Sequence, residues 1–270
     1  MIYDCFSYLD EDLLLNLRLN ILDKYVDYFV VIEGNKTWQN NHKELKFDIS
    51  KYKKFKDKII YIKVMDLPDG KDPYLRENYQ RNSILKGLIN SKEDDLIIIS
   101  DLDEIPDPIS IKYFKKEMRY ACFKQKHFYY KFNLQSKKNP YWFGSRICIK
   151  KYLKSPQWLR DLKFKKRPFW RLDKLRLNNI IENGGWHFCN LKKPESLLYK
   201  YENLCETDDP VHFKEKIDKK YLNLEEIKKR IIAGEDIIGR KDSFIRISLD
   251  NSFPKFLIDN KSIYKDWLAL

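Results

Sequence analysis

Leu96-Ile97-Ile98-Ile99-Ser100 runs without a break into Asp101-Leu102-Asp103-Glu104, and this junction limits what the chain can fold into more than any other feature. Four apolar residues in a row fit a strand covered on both faces, as in a parallel sheet packed between helices. Ending such a strand in three carboxylates is costly unless a cation or hydrogen-bond donors compensate them. Ligands of open parallel α/β sheets bind at the carboxyl ends of the strands, and alternation along an extended chain sends Asp101 and Asp103 to one side. Hard oxygen ligands of this kind suit Mg²⁺ or Mn²⁺ shared with substrate phosphates. The competing reading is a group of surface acids capping a helix that starts near Pro108.

The rest of the first hundred residues agrees with a strand in that position. Ile2 to Phe6, Tyr28 to Ile32 and Lys58 to Val64 are short apolar, β-branched or aromatic runs. Between them, Glu11 to Leu22 and Tyr74 to Ile89 have helical patterning, with Arg18 and Asn16 off the apolar stripe of the first. This alternation predicts βαβ units and a mostly parallel central sheet flanked by helices, a Rossmann-like α/β fold. Ile109 to Met118 reads as a further helix, Tyr120 to Leu134 and Trp142 to Ile149 as strands joined through an Asn139-Pro140 turn, and the residues from Pro194 on as a helical C-terminal extension, clearest at Leu224 to Ile232 before Gly234. No linker separates these parts. The expectation is a single domain over 1–270, with a nucleotide-binding half over 1–104 and a half over 105–270 that completes the site.

Five scattered cysteines without a C-x-x-C pair indicate neither a disulfide framework nor a zinc site. The N-terminus lacks the basic, apolar and small-residue regions of a signal peptide, and no apolar stretch reaches the ~18 residues of a membrane span. The expected location is therefore the cytoplasm. The net charge of +13 is concentrated: Arg146 to Arg176 holds twelve Lys/Arg against two acids, interleaved with Trp and Phe. That segment is either a solvated basic face or a contact for a polyanion, a lipid-linked phosphate or an anionic membrane surface. A specific nucleic-acid function is not expected, because the chemistry-bearing acids lie elsewhere.

Several segments, in order, resemble glycosyltransferase family 17: MIYDCFSYLDEDLLLNLRLNIL, VDYFVVIEGNKTW, KFDISKYKKFKDKIIYIKV, ENYQRNSILKGL, DDLIIISDLDEIPDP and GGWHF. The similarity covers some two-thirds of the chain and fades beyond about Glu195. What the resemblance implies is a GT-A fold, an inverting mechanism, a UDP-sugar donor (UDP-GlcNAc in characterised members), a glycan acceptor and a divalent cation, Mn²⁺ or Mg²⁺. Carried onto this sequence, Asp103 is the expected direct metal ligand, with Asp101 nearer the ribose and able to share the metal. Glu33 is expected at the base or ribose, and Gln80-Arg81 at the phosphates, unless Arg81 only pairs with Glu77 four residues earlier. His187 of the GGWHF block is expected to complete the metal or diphosphate site, with Trp186 beside it stacking on a sugar or packing in the core.

Glu182 just before that block, or Asp161, is the expected general base. His127 on a strand reads as a core histidine, and His42 and His212 carry no motif. The family's histidine after GGWHF is missing where the chain reads Asn203-Leu204-Cys205-Glu206-Thr207-Asp208, which implies a different acceptor. Lack of an anchor suggests a bacterial or viral source and a lipid-linked or surface saccharide acceptor. Two other classes stay open on the residues alone. One is a metal-dependent nucleotidyltransferase or phosphohydrolase, though the chain lacks a Gly-rich phosphate loop; the other is a non-catalytic polyanion-binding module.

Overall fold

The computed structural model describes residues 1–163, 179–203 and 219–269. The basic segment from residue 164 onward, His212 and the 204–208 stretch lie outside them. In chain order the first half comprises β1 (Ile2–Ser7), α1 (Asp12–Leu22), β2 (Tyr28–Gly34), β3 (Ile59–Val64), α2 (Pro73–Asn82), α3 (Ile84–Gly87) and β4 (Leu96–Asp101). These strands pair in parallel in the order β3-β2-β1-β4. Alternation along them feeds two apolar clusters. Phe6, Phe29, Val31 and Ile98 pack on one face with α1, while Tyr3, Cys5, Val30, Ile32, Ile97 and Ile99 pack on the other with Ile84 and Leu88 from the α2–α3 region. Coverage on both faces is why the strands read as nearly continuous apolar runs.

The second half changes hand. It contains β5 (Glu104–Pro106), β6 (Tyr120–Tyr129), β7 (Leu134–Ser136), β8 (Tyr141–Ile149), α4 (Pro156–Asp161), β9 (Ile180–Ile181), β10 (Gly185–Cys189), α5 (Pro194–Asn203), α6 (Leu224–Ala233), β11 (Phe244–Arg246) and α7 (Lys255–Asp259). Strand β8 joins β4 antiparallel, and β6, β7 and β11 extend the sheet antiparallel beyond it. Strand β10 lies parallel to β6 and antiparallel to β5. The sheet is thus mixed, and the expectation of a mostly parallel sheet holds only for β1 to β4. Hairpin-type connections after β6 replace helical crossovers, and antiparallel neighbours need no crossover.

Three local expectations are corrected. The helix over Tyr74–Ile89 breaks at Ser83 into α2 and α3. The helix over Ile109–Met118 is two 3₁₀ turns, Pro108–Tyr113 and Lys116–Met118, because Phe114 turns extended between them. The strand over Tyr120–Leu134 stops at Tyr129, where Tyr130 adopts φ 62°. Among the described residues the C-terminal part carries the expected helices in α5, α6 and α7, and β11 adds an edge strand to the sheet. Among the described residues no helix is long and apolar enough to cross a membrane.

Candidate functional site

The segment after β4 is held from below by a buried cation. Arg18 of α1 is fully buried and forks onto both oxygens of Asp4, at 2.6 and 2.8 Å. The same guanidinium donates to the carbonyls of Asp101, Leu102 and Glu104 at 2.9–3.1 Å. Although it lies off the apolar stripe of α1, it is a bracket that fixes the backbone carrying the carboxylates. Above the backbone, Glu104 is also consumed structurally. It accepts from the Asp101 amide (3.1 Å), the Trp142 indole (2.7 Å) and Arg160 (2.6 and 3.1 Å), and it is buried.

Asp101 faces a cavity of about 380 Å³ and is bracketed there by two arginines, Arg160 at 2.8 Å and Arg81 at 3.2 Å. Burial alone would raise its carboxyl, but Arg160 and then Arg81 hold it well below the usual carboxylate range. Arg81 also reaches Glu77 at 2.6 Å and Gln157, so the pairing four residues back and the approach to the acidic motif are both present. Gln80 is buried and lines the same cavity.

His187 arrives from β10. Gly185 takes φ 127° and lies so close to β5 that an added Cβ would stand 2.2 Å from the Ile105 carbonyl oxygen, so only glycine lets β10 pair there. That pairing sets His187 opposite Glu104 on one side and His127 on the other. Its Nε2 lies 3.5 Å from Asp103, at the outer limit of a hydrogen bond. Burial opposes a charged imidazole, yet Asp103 raises the His187 pKa well above its ordinary value; His187 in turn lowers the Asp103 carboxyl against the effect of its burial.

One carboxylate oxygen and one imidazole nitrogen so close together could share one divalent cation, the carboxylate suiting Mn²⁺ or Mg²⁺ and the imidazole able to ligate in its neutral form. A second possible grouping is His127, His187 and Cys189, whose ligand atoms lie within 4.8 Å of one another. The two imidazoles are stacked at 4.7 Å and 5°, so their lone pairs lie in parallel planes and do not converge on one ion.

The other expected site residues fall elsewhere. Glu33 is fully buried outside the cavity lining, and its carboxylate accepts from Lys43 Nζ, the Lys46 and Phe47 amides and Tyr61 Oη at 2.8–3.0 Å. It anchors the loop after β2, and Lys43 from that loop lines the cavity in its stead. Glu182 is exposed and pairs with Lys124 at 2.9 Å, and Asp161 is exposed and accepts from Gln157 at 2.8 Å. Neither lines the cavity, so the geometry lends no support to either as the base. Trp186 is buried, with its indole donating to the Ser252 carbonyl, which is the core reading.

Conversely, His127, read as a core histidine, is buried in the cavity wall; burial first, then His187, lowers its pKa to about 3. Arg160, Trp142, Lys200 and Arg240 also belong to the site's surroundings. Arg160 had a signal of sorts, lying in the basic segment, but nothing local pairs it with Asp101. Trp142 could have been suspected from Tyr141-Trp142-Phe143, three aromatics on a strand that all remain exposed by 40–47%.

The sequence itself is similar to known proteins. The sequence pattern described as Glycosyltransferase family 17 matches residues 1–241. A human and a rat protein, each named beta-1,4-mannosyl-glycoprotein 4-beta-N-acetylglucosaminyltransferase, are 32% identical over 103 residues, 34% of this chain. The match spans about a fifth (19%) of the length of those relatives.

Proposed function

The chain belongs to glycosyltransferase family 17, and from that membership we propose that it transfers a sugar, GlcNAc, from a UDP-sugar to a hydroxyl of a glycan or lipid-linked saccharide, with inversion at the anomeric carbon. The sheet is read as the GT-A arrangement, its parallel half up to Glu104 binding the nucleotide sugar and the remainder completing the acceptor side. The observation that carries the proposal is the meeting of Gln80 and Arg81 from α2, Asp101 and Asp103 from the end of β4 and the turn after it, and His187 from β10 on one cavity. Family membership favours transfer of a sugar over the nucleotidyl-transfer, phosphohydrolase and polyanion-binding alternatives.

In the reaction the acceptor oxygen attacks the anomeric carbon as the bond to the UDP oxygen breaks, UDP leaves with that electron pair, and the acceptor's proton passes to a general base or to water. Asp103 and His187 would hold Mn²⁺ or Mg²⁺, which when bound supplies neutralising charge to the leaving diphosphate. Arg81 is positioned to exchange part of its pairing with Asp101 and Glu77 for a forked contact to a phosphate. Arg160 and Glu104 keep Asp101 and its backbone in place while that exchange occurs.

Mass spectrometry of products after incubation with a panel of UDP-sugars and acceptor saccharides tests the proposal directly. Thermal stabilisation by UDP, with and without Mn²⁺, tests the donor end alone, since a ligand specific to the native state raises the melting temperature. Asp103→Ala is expected to lower transfer by about 10²-fold or more, the scale of losing one preorganised charge-stabilising group. Full activity with unchanged metal dependence in that variant would refute the scheme.

A further inference from the structure

Four rings of the cavity lining, His127, Tyr129, Trp142 and His187, lie against one another, and of these the donor and metal assignments use only His187. His127 is 3% exposed, and its two ring nitrogens have different circumstances. Nδ1 lies 3.1 Å from the Asn139 carbonyl oxygen. A carbonyl only accepts, so Nδ1 carries the hydrogen, and in the neutral ring Nε2 is left as an acceptor. That Nε2 is buried and has no hydrogen-bond partner among the described residues. Leaving a buried acceptor unmet is destabilising, a cost a chain keeps where a ligand supplies the missing donor. The Asn139-Pro140 turn makes this arrangement, since the Pro140 carbonyl also accepts the His127 amide at 3.0 Å.

Trp142 completes the wall. Its ring is tilted against both imidazoles, at 5.4 Å from His127 and 5.2 Å from His187. The indole N–H is fixed on Glu104 at 2.7 Å, so the ring cannot turn away, yet the residue remains 40% exposed. A rigid aromatic face beside a buried lone-pair acceptor suits a ring with an apolar C–H face and a rim of hydroxyl donors. A phosphate does not fit there: it brings acceptors, and His127 Nε2 offers none a hydrogen.

We propose that His127 and Trp142 form a pyranose subsite, with Trp142 stacking on the sugar's C–H face and His127 Nε2 accepting from a sugar hydroxyl. Both residues act as specificity determinants for the sugar and leave the nucleotide end untouched. The inference rests on the sugar-transfer reading above. The ring it holds belongs either to the UDP-sugar or to the acceptor, and the kinetics separate the two.

The test uses the full chain with His127→Phe, Trp142→Ala and Trp142→Phe. His127→Phe keeps an aromatic ring in the wall and removes the acceptor; Trp142→Phe keeps a stacking face and removes the indole N–H. The readouts are the melting-temperature shift produced by UDP, the KM for UDP-sugar in acceptor-free hydrolysis, and the acceptor KM in transfer. His127→Phe and Trp142→Ala are expected to raise one sugar KM about tenfold, the effect of one lost contact worth about 1.4 kcal/mol, and to preserve the shift by UDP. Trp142→Phe should recover most of the loss. A rise confined to UDP-sugar hydrolysis assigns the ring to the donor, and one confined to the acceptor assigns it there. If both sugar KM values stay at wild type, or UDP itself binds as much more weakly as UDP-sugar, the subsite is refuted. Absence of any UDP response in the wild type would instead remove the donor reading and leave direct sugar binding, by titration of wild type against His127→Phe, to decide the subsite.

Discussion

Replacing Arg18 by methionine keeps the length and the apolar stem of a fully buried side chain while removing its guanidinium. The structure sets the cost. Asp4, also fully buried, would lose both of its ion-pair bonds, and the carbonyls of Asp101, Leu102 and Glu104 would each lose a donor. Deleting one partner of a buried pair typically costs about 3–5 kcal/mol, because the other charge is stranded. For a chain of this size that corresponds to a fall of about 6–20 °C in melting temperature, at about 2–4 °C per kcal/mol. The assay is denaturant and thermal unfolding of Arg18→Met, Asp4→Asn and the double variant. The double should be much less unstable than the sum of the singles, with a coupling on the order of 1–3 kcal/mol. Because the bracket also holds the acidic segment, Arg18→Met at a temperature where it stays folded should lose Mn²⁺-dependent stabilisation by UDP. A cost under about 1 kcal/mol, or strict additivity of the two variants, would refute the view that Arg18 organises the segment.

Arg160→Ala should destabilise the fold by about 2–4 kcal/mol in denaturant unfolding, since buried Glu104 loses its forked partner; Arg160→Lys should restore less than half, because an ammonium cannot fork across two carboxylates. Glu182→Gln and Asp161→Asn should retain transfer rates within about twofold, as surface substitutions away from the cavity do, and a loss above tenfold in either would make that residue a base after all. Stability should also fall on acidification. Burial works to raise the carboxyls of Glu11 and Asp12, but Lys192 for the first and Lys51, Tyr8 and Tyr52 for the second hold both below their ordinary values. Folded pKa values below the unfolded ones mean that this stabilisation is complete above about pH 4.5 and is lost as pH falls through the folded values; melting temperature against pH from 7 to 2.5 should show it, with a shallower slope in Glu11→Gln.

The parallel half was legible because its signals are local. Strands covered on both faces announce themselves as apolar runs, and the helices between them as periodic stripes, so β1 to β4 and α1 follow from short windows of sequence. The antiparallel half was not, because β8 beside β4 and β10 between β5 and β6 are choices made between segments about fifty to eighty residues apart. Tyr120 to Leu134 has strand composition throughout, and only the left-handed Tyr130 ends β6 where it does. The mixed sheet therefore had no counterpart in any one window.

The same distinction decides which site residues could be read. A carboxylate after a buried strand is a good sign that something compensates it, but the sequence does not say what. Three such positions had three outcomes. Glu33 is satisfied by the chain's own loop and Tyr61, Asp101 by two arginines that can in principle be redirected, and Asp103 by a single histidine at 3.5 Å. The number of partners already in place orders these carboxylates by their freedom to take an external cation, and Asp103 comes first. Of those partners Arg81, His187 and Tyr61 lie in segments that resemble the family; Arg160 and Lys43 become partners through the fold alone. It follows that Asp101 and Asp103 should differ under substitution: Asp103→Asn should abolish the metal-dependent response to UDP and lower the melting temperature only by what its pairing with His187 contributes, whereas Asp101→Asn should lower it further, because it leaves Arg81 and Arg160 facing each other without their shared anion.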